Sequence, residues 1–397
     1  MPFLAQLVYF GAAIALGGWL FRLVGQTLTA NAPKFRDMPY AVAFGYVFAA
    51  AAILFIVWTY YRARTLPEAE AVKFFFFRIA VEGLILFAIA AFLFRQLGRM
   101  VGTSATRKLF RSMPLTAAFG VLVVIIYAAL AIFAPLFAPF GQEQVFPLAN
   151  VVPGGNPALG GNPDFLLGTD QIGRDILSRL IYGARNTVGI AFVTTLLAFF
   201  LGGSLGFLAA TLGGWVDQIL SRAVDALMAI PSLIFALLLI TVASAWFDGT
   251  GLTIAMIIII AVIDSTRVFR LARAVGINIV VMDYIESAKL RGEGLAYLIF
   301  REILPNATAP LLAEFGLRFC FVFLTISSLS FLGVGIQPPL ADWGTMVRDL
   351  APFISYASFA PQASTTPLLA AGAIALLTVG VNFVVDWMLH KSSGLKE

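Results

Sequence analysis

The stretch Asp283-Tyr284-Ile285-Glu286-Ser287-Ala288-Lys289-Leu290-Arg291-Gly292, continued to Ile303-Leu304-Pro305-Asn306, lies between two long apolar runs. Its small and charged residues predict a helix ending at Gly292, because glycine readily takes the left-handed conformation that closes a helix. A second short helix is predicted up to Pro305, which can open the next apolar run without needing an N–H. Polar connections between apolar runs are ordinarily brief. The segment 276–310, built as helix–glycine–helix, therefore reads as a docking surface. A helical hairpin resting on lipid headgroups would carry the same pattern.

The rest of the chain explains why those flanking runs are apolar. Of 397 residues, 60% are hydrophobic and 12% are charged, with a mean hydropathy of +0.93. Soluble domains carry about 25% charged residues, so the chain is too poor in charge to coat a water-facing globule. A soluble enzyme and a disordered chain are both excluded, and the lipid bilayer is the implied surrounding. The net charge is +5, an excess expected on loops facing anionic lipid rather than on a nucleic-acid surface. Cys320 is the single cysteine and His390 the single histidine. Internal disulfides and cysteine metal cages are ruled out, and so are most histidine-based schemes.

A helix needs roughly 20 residues to cross about 30 Å of hydrocarbon. Nine runs come near that: Phe3–Gly25, Pro39–Tyr61, Phe74–Phe94, Pro114–Phe137, Asn186–Leu212, Val224–Trp246, Leu252–Val275, Leu311–Val334 and Pro367–Leu389. Ala30-Asn31-Ala32 has a cleavage-like pattern, but no basic residue precedes the first run, which is read as a retained span. Over the last six spans one side collects Arg99, Arg107, Lys108, Arg111, Arg222, Arg267, Arg270, Arg273, Lys289, Arg291, Arg301, Lys391 and Lys396, against Arg174, Arg179, Arg185 and Arg348 on the other. The segment 276–310 and the C-terminus are thus expected in the cytoplasm. Flanking charges tie for the first three spans, whose orientation follows only by parity, with the N-terminus outside.

On the other side, Gly168-Thr169-Asp170-Gln171-Ile172-Gly173-Arg174-Asp175 leads into a two-sided helical wheel. At about 100° per residue, Ile172, Ile176, Leu177, Leu180 and Ile181 fill one half, and Arg174, Asp175, Ser178 and Arg179 the other. Thr169 or Asp170 is placed to cap the first turn. The expectation is a helix over 170–183 lying flat on the outer membrane surface, polar half to water.

Several motifs in order resemble one family. Glu286-Ser287-Ala288, Gly292 and Leu304-Pro305 resemble the EAA loop of ABC importer permeases. Gly168-Thr169-Asp170, Gly173-Arg174-Asp175 and Arg179, then Gly213-Gly214-Trp215-Val216-Asp217, Ile230-Pro231-Ser232, Leu329-Ser330-Phe331-Leu332-Gly333-Val334-Gly335, Pro338-Pro339 and Trp343-Gly344, resemble the second permease subunit of dipeptide, oligopeptide and nickel importers. The resemblance covers roughly 114–390. Departures are Ser287, where the family more often has Ala, and Pro367-Leu368 in place of its Pro-Gly. Residues 1–100 have no counterpart.

The resemblance implies an all-α polytopic protein: a six-helix type I importer core after about three extra spans. The expected divisions are 1–100, 101–184 (first core span, outer loop and surface helix), 185–389 (permease domain with coupling loop 276–310) and a tail, 390–397. It further implies a homologous second permease subunit, two ATPase subunits and an external solute-binding protein. Asp283, Glu286, Ser287, Ala288, Gly292, Leu304 and Pro305 would couple to the ATPases. No Gly-x4-Gly-Lys-Ser/Thr loop occurs, so ATP and Mg belong to the partner subunits and no cofactor is expected on this chain.

Two other classes compete. Gly202-Gly203-Ser204-Leu205-Gly206 matches the pattern of serine hydrolases, but its base would have to be His390, at the far end of the last span. The plainer reading is close helix packing through small residues. An ion-coupled secondary transporter would use intramembrane acids, yet Asp264 with Arg267 and Glu314 with Arg318 read as paired structural charges.

Overall fold

The computed structural model describes residues 14–21, 39–66 and 72–392. Most of the predicted first span, Phe3–Gly25, falls outside them. By its contacts the chain divides into two compact units, Met1–Val81 and Glu82–Glu397. In the first unit, 14–21 is helical and is followed by α1 (Tyr40–Thr65). A Cβ on Gly18 would sit 3.1 Å from the backbone of Phe44, so these helices approach closely.

The second unit begins within α2 (Phe75–Met100) and continues through α3 (Ser104–Ser112) into α4 (Leu115–Phe137). Among the described residues, the architecture is helical with only isolated β-bridges. Seven helices are long and apolar enough to cross a membrane, or eight if one sharply bent pair is a single span. That pair corrects the predicted continuous span Val224–Trp246: α7 (Gly214–Met228) and α8 (Ser232–Ala243) meet at 88°. The cause is Pro231, which disfavours helical geometry at the residue before it and opens α8 from its own extended backbone.

The centre is built from α6 (Gly189–Leu212) and α9 (Gly249–Val280), which run parallel. A Cβ on Gly202 would lie 2.3 Å from the Ser265 carbonyl oxygen, and one on Gly206 would lie 2.6 Å from that of Phe269. Only glycine permits this approach, and close backbone contact is how helices adhere where no hydrophobic drive separates protein from lipid. Against this pair pack α11 (Leu304–Phe331) and α13 (Pro367–Ser392). α13 crosses α4 antiparallel, with Gly120 facing the Gly380 carbonyl and the Tyr127 hydroxyl donating to the Ala373 carbonyl at 3.0 Å.

Two predicted charge pairs are present: Arg267 to Asp264 at 3.3 Å and Arg318 to Glu314 at 2.6 Å. Two further pairs are present. Arg270 pairs with Asp225 at 2.6 Å, and Arg273 forks onto Asp217, which clamps α7 to the last turns of α9.

Candidate functional site

After α9 the chain turns at Val281-Met282 into α10 (Asp283–Leu290). Ile285 and Ala288 are fully buried, packed with Ile279, Leu298, Ile299, Ile303 and Phe207. Asp283, Glu286, Ser287 and Lys289 are exposed, and so is Leu290, at 83%. The helix ends as predicted. Gly292 has φ +80°, its N–H bonds the Lys289 carbonyl at 3.0 Å, and the Glu293 N–H reaches back to the Ala288 carbonyl at 3.2 Å. These two bonds form a Schellman closure, satisfying carbonyls that a helix end leaves open. Arg291, 3.8 Å from both Glu293 and Glu302, ties the turn to the helix that follows.

Pro305 does not begin a new helix. Helical backbone runs from Leu295 through a wide π-turn at Leu298–Ile303 directly into α11, so the predicted span Leu311–Val334 starts earlier. A proline N offers no bond to the carbonyl four residues back, and a π-turn just before it absorbs that loss without ending the helix. Leu304 is half-buried and Pro305 exposed. The result is a short, capped helix anchored on one side and free on the other.

Beside it, α6 and α11 enclose an apolar cleft of about 380 Å³, lined by Phe199, Phe207, Phe300, Leu311 and Phe315 among others. Ser204 lies in its wall, and no ionisable residue lines it. A serine nucleophile needs a base within hydrogen-bond reach, and this setting supplies none.

At the opposite end of the bundle, the polar half of the predicted outer helix faces protein and not water. The helix over 170–183 starts only at Ile176: α5 (Ile176–Gly183) is capped by Asp175, whose carboxylate accepts the Ser178 N–H at 2.7 Å. Asp170 instead closes the preceding turn, accepting the N–H groups of Ile172 and Arg174 and the Arg174 Nε at 2.6 Å. Thr169 donates to the Leu148 carbonyl at 2.6 Å and accepts the Val151 N–H. Gly168 and Gly173 have positive φ, and a Cβ on either would meet a carbonyl oxygen at 2.1 Å.

Ser178 and Arg179 are buried, while Ile172 is 55% exposed, the reverse of the wheel reading. The reason is the segment 138–170, which folds over the polar face. Its Phe140 N–H donates to the Ser178 Oγ at 3.0 Å, and its Gln142 carbonyl accepts from Arg179 at 3.1 Å. No helical wheel contains those distant partners.

The sequence reading also missed the group that locks this end. Through a π-turn at Ala184–Val188, α5 runs into α6. Within that turn the Thr187 hydroxyl donates to Asp342 Oδ1 at 2.8 Å. The other oxygen of Asp342 caps α12 (Trp343–Leu350) through the Thr345 N–H, also at 2.8 Å. The Trp343 indole N–H reaches the Leu180 carbonyl at 2.9 Å, over Gly183. Asn186 bridges the Gln142 side chain and the Ala341 carbonyl. Burial holds the Asp342 carboxyl above its usual range, partly offset by the donors that surround it. An Asp directly before Trp343-Gly344 was the available signal, since that residue type is a preferred N-cap.

Among the described residues the chain is thus a helical bundle of membrane-crossing length, with a capped surface helix at one end and a buried polar lock at the other. Residues 202–391 match the family model for the inner membrane component of binding-protein-dependent transport systems. Dipeptide transport system permease protein DppC of Haemophilus influenzae is 37% identical over 245 residues, which cover 61% of this chain and 80% of that protein. Di/tripeptide transport system permease protein DppC of Pseudomonas aeruginosa is 34% identical over 277 residues, 69% of this chain and 88% of that one. Glutathione transport system permease protein GsiD of Pectobacterium atrosepticum is 30% identical over 265 residues, covering 67% and 82%. The chain belongs to this family of ABC importer permeases and is a multi-pass membrane protein.

Proposed function

We propose that this chain is the permease subunit of an ATP-driven importer of peptides in the bacterial inner membrane. It would receive its solute from an external binding protein, and it would work beside a homologous second permease and two ATPase subunits, which hold the ATP and Mg. The observation that carries the reading is α10. It is fixed to the bundle by Ile285 and Ala288, yet it offers Glu286, Lys289 and Leu290 to a partner. Movement imposed on that exposed face passes through the buried pair into Ile279 of α9 and Ile303 before α11. Helices α9 and α11 would then rock together, which is the motion alternating access requires.

By the excess of basic residues, the α10 end and the C-terminus lie in the cytoplasm. The N-terminal spans would be an accessory element that transport does not require. The di- and tripeptide names of the relatives favour short peptides as cargo. A strain lacking this chain should lose growth on short peptides as sole nitrogen source and regain it on complementation. Unchanged growth on every peptide, with uptake of another solute lost, would replace peptides in this reading and leave the importer class standing.

A further inference from the structure

Between Glu82 and Glu143 the chain contains no acidic residue, yet Arg95, Arg99, Arg107, Lys108 and Arg111 fall within it. The structure folds these five cations onto one hairpin. The end of α2 turns at Val101-Gly102, and α3 packs back so that the rings of Phe94 and Phe110 meet edge to face at 5.3 Å. Phe110 lies against Gly98, where a Cβ would approach its ring to 2.4 Å.

None of the five makes an ion pair among the described residues, and the Nε atoms of Arg95 and Arg99 are shielded without a hydrogen-bond partner. Arg95 and Arg99 stand one helical turn apart on α2, as do Arg107 and Arg111 on α3; like charges so spaced repel within a Debye length of about 8 Å, so the cluster calls for an anion. The neighbouring surface says which kind. Leu97, Met100 and Val101 are exposed among the cations, a mixture that suits acyl chain and headgroup together and does not suit a soluble anion. Trp387 of α13 packs on the same small core as Phe94 and Phe110, with Lys391 5.5 Å over its ring. An amphipathic indole of this kind marks a membrane–water interface.

We propose that the α2–α3 hairpin is a binding site for the phosphate headgroups of anionic phospholipid, held by Arg95, Arg99, Arg107, Lys108 and Arg111. The site lies outside the matched importer core and is independent of the cargo. Asp386, the carboxylate in the last turns of α13, makes no ion pair with the five among the described residues.

The test uses the purified full chain in mixed micelles of phosphatidylglycerol and phosphatidylcholine, with retained lipid measured by native mass spectrometry. Phosphatidylglycerol should be enriched about tenfold over phosphatidylcholine, and the enrichment should fall with salt, as expected for several basic residues acting at a surface. R107Q/K108Q/R111Q should abolish the preference while keeping the wild-type elution profile. R107K/R111K, which keeps the charge, should retain it. Equal retention of the two lipids by the wild type, or an unchanged preference in the glutamine variant, would overturn the proposal. Displacement of the bound lipid by inorganic phosphate alone would also overturn it, assigning the cations to a soluble anion.

Discussion

Thr187 and Asp342 stand 155 residues apart in the chain, and a 2.8 Å hydrogen bond joins them where the helices before and after the central bundle meet. The bond is buried, and Asp342 spends its second oxygen on the cap of α12. Asp342→Ala should therefore lower the thermal midpoint of the purified chain, at a cost of about 2–3 kcal/mol from a lost cap and an orphaned hydroxyl. Thr187→Val should cost less alone, and the double variant should show coupling of about 1 kcal/mol. Strict additivity would mean the two groups do not act as one lock.

The same carboxyl sets a pH dependence. Its folded pKa is raised by burial, so the folded state holds the proton more tightly than the unfolded chain does. The stability it contributes is complete below the unfolded value and is lost as pH rises through the folded one. Relative to Asp342→Asn, which has no proton to lose, the wild type should gain stability as pH is lowered from neutral. A difference that stays flat with pH would contradict the burial argument.

Accessibility at the polar end separates the structure from the helical wheel. In a Cys320→Ala background, a cysteine at Ile172 should react with an impermeant thiol reagent, whereas cysteines at Ile176 and Ser178 should be protected. The wheel predicts the opposite at Ile172 and Ser178. Amphipathic sequence shows that a helix has two faces, but not that the polar one meets water. Here the partners of the polar face come from Phe140 and Gln142.

What was legible in the sequence follows the same division. The closure at Gly292 was readable because every bond in it spans at most five residues. The pairs Asp264–Arg267 and Glu314–Arg318 were readable because each lies within one helical turn or so. Pro305 misled because its effect depends on the π-turn before it, and Ile230-Pro231-Ser232 gave no sign of a bend because apolar runs extend beyond the tripeptide on both sides. The Thr187–Asp342 lock left only half a trace, an N-cap with no indication of its partner.

Neighbouring glycines offer an internal control for the central crossing. Gly202→Ala should destabilise the protein, because its Cβ would strike the Ser265 carbonyl, while Gly203→Ala should be near neutral, with nothing within 4 Å. Ser204→Ala should leave transport intact. Loss of activity in Ser204→Ala with normal folding would revive a nucleophilic role for that hydroxyl.

At Gly292 the space around a Cβ is open, so only the positive φ opposes substitution. Gly292→Val should cost about 1–2 kcal/mol locally, leave the amount of inserted permease unchanged, and reduce ATPase stimulation by the binding protein. Gly292→Asn, which tolerates this conformation better, should be milder. Equal, wild-type coupling in both variants would place the point of force transfer elsewhere.

As proposed, ATP hydrolysis on partner subunits, delivered through α10, would drive peptide import through this chain. The most direct test is uptake of a labelled dipeptide into proteoliposomes containing this chain with its second permease and ATPases, the binding protein added on the solute side. Uptake should require both ATP and binding protein, survive a protonophore, and fall with Gly292→Val. Uptake that proceeds without ATP and collapses when the proton gradient is dissipated would contradict it.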